Sequence, residues 1–183
     1  MYFATILAGG SGTRFWPKST KTKPKQLLKL YNEKTLLENT IDRISPLVPR
    51  ENIYLLTSEM LKQEILKLDL GIPNQNYVCE PLSKNTAPCI GIATKYILDR
   101  DPHATIVSLH SDAYIKNENR FREITKQSLD YASKTDVLMT LGIEPLYPET
   151  GYGYIHYSLE RIKLDSCSVK NVERFEEKPN LDI

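Results

Sequence analysis

The sequence has few of the residues that build disulfide frameworks or zinc sites. Its 183 residues include 3 cysteines and 3 histidines. The cysteines are odd in number and show no C-x-x-C spacing, which argues against a disulfide-stapled fold and a zinc site and is typical of a reducing compartment. Cys79 and Cys89 fall within apolar patterns, so we predict that both are small buried side chains.

The sequence also lacks long apolar runs and an excess of charge. No stretch approaches the roughly 18 apolar residues of a membrane span, and the first residues do not form a basic segment followed by an apolar signal core. With 24 basic and 23 acidic residues the formal net charge is +1, so no overall field attracts nucleic acid or an anionic membrane. We therefore expect a cytoplasmic protein that binds neither nucleic acid nor membrane.

The overall composition is that of an ordinary globular domain. Apolar residues make up 40% of the chain and charged residues 26%, as in folded proteins rather than disordered or fibrous ones. A chain of this length can bury the larger part of the surface that it exposes when unfolded. Because we find no internal repeat, low-complexity tract or linker, we predict one domain over residues 1–183.

Short apolar runs alternate with helical patterns along most of the chain. This alternation requires crossover connections, which predict a Rossmann-like, doubly wound α/β fold with a mainly parallel sheet. After Gly142 the pattern indicates extended structure and a mixed extension of the sheet. A capping-box pattern at Thr35 and Glu38 starts the first helix, and Asn85 is a candidate cap for the third. Predicted strands cover residues 3–7, 53–57, 77–79, 105–109 and 137–142, and helical spacing joins Leu37, Ile41 and Ile44; Leu61, Ile65 and Leu68; Ile90, Ala93 and Ile97; and Phe121, Ile124 and Leu129.

A glycine-rich loop and a basic segment follow the first predicted strand. Gly9, Gly10 and Gly12 precede Arg14, and Lys25 ends a run of spaced lysines. Glycine permits positive φ and lets main-chain N–H groups approach a ligand, and ligands collect at the carboxyl ends of parallel strands. The pattern predicts a phosphate site that is neither a P-loop nor a dinucleotide fingerprint, since Gly12 is followed by T-R-F-W-P.

Several short motifs occur together and in a fixed order along the chain. They are A-G-G-S-G-T-R-F-W-P with a following P-K-Q, then E-P-L-S-K-N-T-A-P, S-D, T-G-Y-G-Y-I and F-E-E-K-P. This series resembles the sugar-nucleotide pyrophosphorylases, and among them most the mannose-1-phosphate guanylyltransferases. The sequence departs from the family pattern around Asp112, because His110 stands in place of proline and Ala113 in place of histidine.

The resemblance implies a nucleotidyltransferase fold, an activity and a set of site residues. The activity is transfer of a guanylyl group from GTP to mannose 1-phosphate, giving GDP-mannose and pyrophosphate, with Mg²⁺ or another divalent cation. Arg14, Lys25 and Asp112 are implied as catalytic, and Asp112 also as the metal ligand. Gly151, Glu177 and Lys178 are implied in binding the sugar and its phosphate. The implied nucleotide-binding residues are Leu7, Ala8, Gly9, Gly10, Gly12, Thr13, Arg14, Lys25, Glu80, Asn85 and Thr86.

The residue types suit those roles. An arginine offers a planar fork to phosphate oxygens, and a lysine offers a compact point charge. Mg²⁺ commonly takes one or two carboxylates together with substrate phosphates, so Asp112 is enough to begin a site. A carboxylate at Glu80 can accept from the N1–H and N2 amino groups of guanine, whereas adenine presents an acceptor at N1.

Two other functions remain open from the sequence. The chain could be a GTP-binding module or regulatory pseudoenzyme without turnover, or a sugar-1-phosphate nucleotidyltransferase that uses another nucleoside triphosphate. Family members continue past Lys178, so we expect the C-terminal part of the catalytic domain, with a later carboxylate, to be absent from this chain. Activity of this chain alone and assembly into a homo-oligomer are left open for the same reason.

Overall fold

The computed structural model describes residues 1–10, 15–20, 24–80, 86–165 and 167–181 of the chain. The chain divides into two compact units, Met1–Leu129 and Asp130–Ile183. The assignment of residues 1–183 to one domain stays a prediction.

The first unit is built on a parallel sheet. Its strands are β1 (Tyr2–Leu7), β2 (Ile53–Thr57), β3 (Tyr77–Cys79) and β4 (Thr105–His110), in the order β3-β2-β1-β4. Each neighbouring pair is parallel, and Leu7 stands opposite both Leu56 and His110. The carboxyl ends of β2, β1 and β4 therefore meet at one edge of the sheet.

Helices cover both faces of this sheet. They are α1 (Leu36–Ile44), α2 (Glu59–Leu66), α3 (Thr86–Arg100) and α4 (Glu118–Ala132). Because successive strand residues point to opposite faces, Leu55 of β2 joins a core with α1 and α2, and Leu56 joins a second core with α3. The predicted doubly wound α/β fold is confirmed.

The starts of α1 and α2 are fixed by side-chain caps. The Thr35 hydroxyl accepts from the Glu38 N–H at 3.1 Å, and the Glu38 carboxylate accepts from the Thr35 N–H at 2.7 Å, so the predicted capping box is confirmed. Ser58 caps α2 by accepting from the Leu61 N–H. Asn85, the candidate cap of α3, lies outside the described residues. Within the parts of the chain that the structure describes, no helix is long and apolar enough to cross a membrane.

The second unit contains short antiparallel pairs. Strand β5 (Gly153–Tyr157) pairs with β8 (Val172–Glu177), and β6 (Ile162–Lys163) pairs with β7 (Ser168–Val169). Extended structure after Gly142 was predicted correctly. In the described residues, however, these strands form two-stranded sheets of their own and do not extend the four-stranded sheet.

The strand predicted over residues 137–142 is wrong. These residues have no regular secondary structure, and the side chain of Leu138 is fully exposed. An apolar run forms a strand only where another strand pairs with its backbone N–H and C=O groups. None of the described strands pairs with this segment. Its apolar pattern alone is therefore not sufficient to form a strand.

Substitution of the α1 cap gives a direct test of the fold. We expect Thr35→Ala to lower the free energy of unfolding by about 0.5–2 kcal/mol, because the Glu38 N–H loses its acceptor. Urea unfolding followed by circular dichroism measures the loss. Thr94→Ala, in the middle of α3, is the matched control and should leave stability unchanged or slightly raised. Equal effects of the two substitutions would show that the cap does not stabilise α1.

Candidate functional site

A cavity of about 190 Å³ lies at the carboxyl edge of the parallel sheet. It is formed where β1, β2 and β4 end beside the turn that carries Lys25 and the start of α3. The residues that line it include most of the described part of the predicted nucleotide site. The lining consists of the predicted residues Leu7, Gly9, Gly10, Lys25, Glu80, Thr86 and Asp112, together with Leu56, Cys89, His110 and Ser111.

The end of β1 presents backbone to this cavity. The Ala8 N–H donates to the Leu56 carbonyl at 2.8 Å, and Ala8 is fully buried, so this residue anchors the loop and does not line the cavity. Gly10 follows with a φ of +96°, a conformation that L side chains rarely adopt. Of the other predicted residues, Gly12, Thr13, Arg14 and Asn85 lie outside the described residues.

The turn carrying Lys25 is fastened to β1 by a buried glutamine. Lys25 starts a single 3-10 turn, Lys25–Leu27. The next side chain, Gln26, is fully buried and donates from Nε2 to the Ala8 carbonyl at 2.7 Å. This bond holds the lysine beside the glycines. Gln26 was not among the predicted site residues, although its place in the P-K-Q motif is the signal that identifies it.

Lys25 and Asp112 form an ion pair at the mouth of the cavity. Asp112 follows β4, and the buried Ser111 before it donates its N–H to the Leu7 carbonyl at 3.2 Å. The Lys25 Nζ donates to Asp112 Oδ2. Residues that are far apart in sequence thus place a cation and a carboxylate together beside the glycine loop.

Glu80 lies on the opposite wall and contacts Cys89. The Glu80 N–H continues the pairing of β2 and β3 by donating to the Thr57 carbonyl at 2.9 Å. Burial, and then the hydrogen bond and negative charge of Glu80, raise the pKa of the Cys89 thiol to about 12. The Cys89 thiol is therefore neutral and not a nucleophile. Cys89 is buried as predicted, whereas Cys79 is only half-buried.

A divalent cation fits this site only together with phosphate. Among the described residues, no group of three or more histidine, cysteine, aspartate or glutamate side chains is gathered for a metal. Asp112 is the carboxylate beside Lys25, and one carboxylate with substrate phosphates is an ordinary Mg²⁺ environment. The donor set is therefore compatible with a cation that arrives with a nucleotide.

The predicted sugar-binding residues belong to the second unit. Lys178 has a φ of +48° and its Nζ lies 3.3 Å from Glu177 Oε1, in an exposed ion pair. Gly151 donates its N–H to Glu149 Oε1 at 3.0 Å. Gly153, which was not among the predicted site residues, faces Glu177 across β5 and β8, and a Cβ there would lie 2.8 Å from Glu177 Oε2.

The chain is similar in sequence and in structure to several known proteins. The profile of the family described as nucleotidyl transferase matches residues 3–183. Mannose-1-phosphate guanylyltransferases from Sinorhizobium fredii and Escherichia coli are each 36% identical, over 97% and 96% of this chain but 34% and 38% of their own lengths. The crystal structure of mannose-1-phosphate geranyltransferase from Thermus thermophilus superposes with a TM-score of 0.85 and 31% identity, over 98% of this chain and 50% of that one. The chain thus spans little more than a third of these curated relatives.

The ion pair at the cavity mouth should contribute little to stability. We expect Lys25→Met and Asp112→Asn each to change the free energy of unfolding by no more than about 0.2–1 kcal/mol, because both side chains reach solvent. Ile41→Ala, in the fully buried core, is the comparison and should cost about 2–5 kcal/mol. Urea unfolding measures all three. A loss at Lys25 or Asp112 as large as that at Ile41 would show that the pair is structural.

Proposed function

The chain belongs to the nucleotidyl transferase family, and we propose that the cavity of its first unit binds a nucleoside triphosphate for transfer to a sugar 1-phosphate. The observation that carries this proposal is the meeting of Gly9 and Gly10 with the Lys25–Asp112 pair at one sheet edge. The names of the relatives support GTP and mannose 1-phosphate as the substrates.

The proposed reaction exchanges one phosphoanhydride bond for another. A phosphate oxygen of the sugar 1-phosphate forms a bond to the α-phosphorus of GTP, and the bond from that phosphorus to the bridging oxygen of the β-phosphate breaks. Pyrophosphate leaves with the electron pair, and no oxidation or reduction occurs. Because both reactants are anions, the protein must align them and offset their negative charge.

The described residues can both align the reactants and offset their negative charge. The glycine backbone at Gly9 and Gly10 leaves room for phosphate oxygens. The Lys25 ammonium would turn from Asp112 to the α-phosphate, where negative charge develops. Asp112, released from the lysine, would hold a divalent cation, which when bound offsets phosphate charge and orients the phosphates. Arg14, outside the described residues, remains a proposed partner of the leaving pyrophosphate.

Glu80 is proposed to recognise the guanine base of GTP. Its carboxylate and the Cys89 thiol line the same cavity. Guanine offers two donors on one edge to the Glu80 carboxylate, whereas adenine would leave this half-buried carboxylate facing an acceptor. This contact would favour GTP over ATP. Thr86, at the start of α3, lines the same part of the cavity.

The sugar side of the reaction is proposed for the second unit. Carboxylates accept from sugar hydroxyls and an ammonium attracts phosphate, so Glu177 suits the sugar and Lys178 its phosphate. Gly151 stays a proposed backbone contact. Gly153 joins the set because Glu177 lies directly over it. A cytoplasmic location remains our prediction.

Replacement of Lys25 tests the catalytic role. We expect Lys25→Ala to lower pyrophosphate release from GTP and mannose 1-phosphate by about 100- to 1,000-fold, because it removes a cation from the developing charge. Lys18→Ala is the matched control, since Lys18 is exposed and does not line the cavity, and it should keep the full rate. Equal rates for the two variants would contradict the assignment.

The same assay separates the transferase from a binding module. Pyrophosphate release that requires both substrates supports transfer. Binding of GTP with Mg²⁺ but no release with mannose 1-phosphate would support the alternative, a module that holds GTP without turnover. One observation favours this alternative. Among the described cavity residues, Asp112 is the only carboxylate besides Glu80.

Replacement of Glu80 tests the choice of base. We expect Glu80→Gln to weaken GTP binding and to narrow the difference between GTP and ATP, because the amide replaces one acceptor by a donor. Calorimetric titration with both nucleotides measures the two dissociation constants. Asp99→Asn, on the exposed surface of α3, controls for the change in net charge. An unchanged GTP-to-ATP ratio in Glu80→Gln would place base recognition elsewhere.

A further inference from the structure

A buried arginine reaches the loop that carries Asp112. Arg43 lies on α1 with its side chain only 2% exposed. Its Nη2 donates to the backbone carbonyl of Ala113 at 3.1 Å. Ala113 directly follows the aspartate of the proposed site, although Arg43 is far from both in sequence.

Groups from three neighbouring segments surround the Arg43 guanidinium. Its Nε lies 3.5 Å from Oε1 of Glu118, the first residue of α4. The guanidinium carbon lies 5.9 Å from the ring centroid of Phe121, and the Tyr31 side chain is close enough to interact electrostatically with the guanidinium. A planar guanidinium with several fixed donors can make these contacts at once. The arginine thus joins α1, the start of α4 and the segment after β4.

The Ala113 contact completes a two-sided restraint on Asp112. On the preceding side, the Ser111 N–H donates to the Leu7 carbonyl at the end of β1. On the following side, the Ala113 carbonyl accepts from Arg43. The backbone on either side of Asp112 is therefore bonded to a different element of the first unit. Its carboxylate is directed to Lys25 from a position that these two bonds define.

We propose that Arg43 is a positioning residue, which holds the backbone after Asp112 so that its carboxylate can receive a divalent cation bound with the nucleotide. This inference rests on the proposed function, because it concerns the cation that accompanies the triphosphate. Partners that orient a ligating carboxylate commonly change metal affinity or activity by about 10- to 100-fold when they are removed.

A purely architectural role for Arg43 makes a different prediction. If the arginine only fastened α4 to α1, its ion contact with Glu118 would be the important one. Glu118→Gln removes that charge but leaves the Ala113 carbonyl bonded to the guanidinium. The two roles therefore differ in which variant alters the cation dependence of nucleotide binding.

The test compares GTP affinity with Mg²⁺ and with EDTA for the unsubstituted chain and its variants. For Arg43→Met we expect the gain in affinity from Mg²⁺ to fall by about 10- to 100-fold, while the affinity in EDTA stays unchanged. Arg43→Lys keeps a donor in reach and should show a smaller fall. Glu118→Gln should keep the full gain from Mg²⁺.

Hydrogen exchange of the ligand-free chain gives a second readout. Faster exchange of the amides of residues 111–114 in Arg43→Met, with a smaller but measurable increase in Arg43→Lys and no faster exchange in β1, supports a restraint on this loop. Unchanged exchange there overturns the proposal, even where Arg43→Met does not fold.

The remaining outcomes are also decisive. A Mg²⁺ gain that survives in both Arg43 variants overturns the inference and leaves the proposed function standing. Affinities in Mg²⁺ and EDTA that fall in parallel show a structural role only and overturn it as well. If the unsubstituted chain binds no GTP, the proposed function itself fails, and the inference fails with it.

Discussion

The candidate site depends on the parallel pairing of β1 with both of its neighbours. Leu7 stands opposite Leu56 on one side and His110 on the other. Because parallel strands end at the same edge, this register brings the glycines after β1 to the carboxylate after β4. Shifting the register of β4 by one residue would reverse which side chains face each core. The buried core and the site geometry are therefore fixed by the same hydrogen bonds.

Buried polar side chains then hold segments next to the sheet that strand pairing alone does not position. Gln26 bonds to the Ala8 carbonyl, and Arg43 bonds to the Ala113 carbonyl. Each connects a different part of the first unit to backbone next to a proposed ligand-binding residue. Because an unpaired buried polar group is costly, each of these bonds offsets part of the cost of burying its side chain, although Gln26 Oε1 and Arg43 Nε have no hydrogen-bond partner among the described residues. The site is thus supported from the interior, whereas its own Lys25 and Asp112 side chains remain accessible.

Elements that are marked by a local sequence pattern could be predicted from the sequence. The capping box at Thr35, the strands of the parallel sheet and all four helices follow from apolar period and turn chemistry. The apolar run over residues 137–142 had the same local signal as β4 but formed no strand, because pairing is a nonlocal property that a single run does not encode. In the site, motif order predicted Lys25 and Asp112, but it did not identify Gln26. Arg43 falls seven positions after the buried Leu36, and this helical spacing is a signal that it faces inward.

The central claim is that the cavity at the carboxyl edge of the parallel sheet binds a nucleoside triphosphate. The most direct measurement is a crystal structure of this chain with GTP and Mg²⁺. The account predicts that the triphosphate lies against Gly9 and Gly10, with the Lys25 ammonium turned away from Asp112 to the α-phosphate and the guanine at Glu80. GTP bound elsewhere, or an intact Lys25–Asp112 pair beside bound nucleotide, would contradict it.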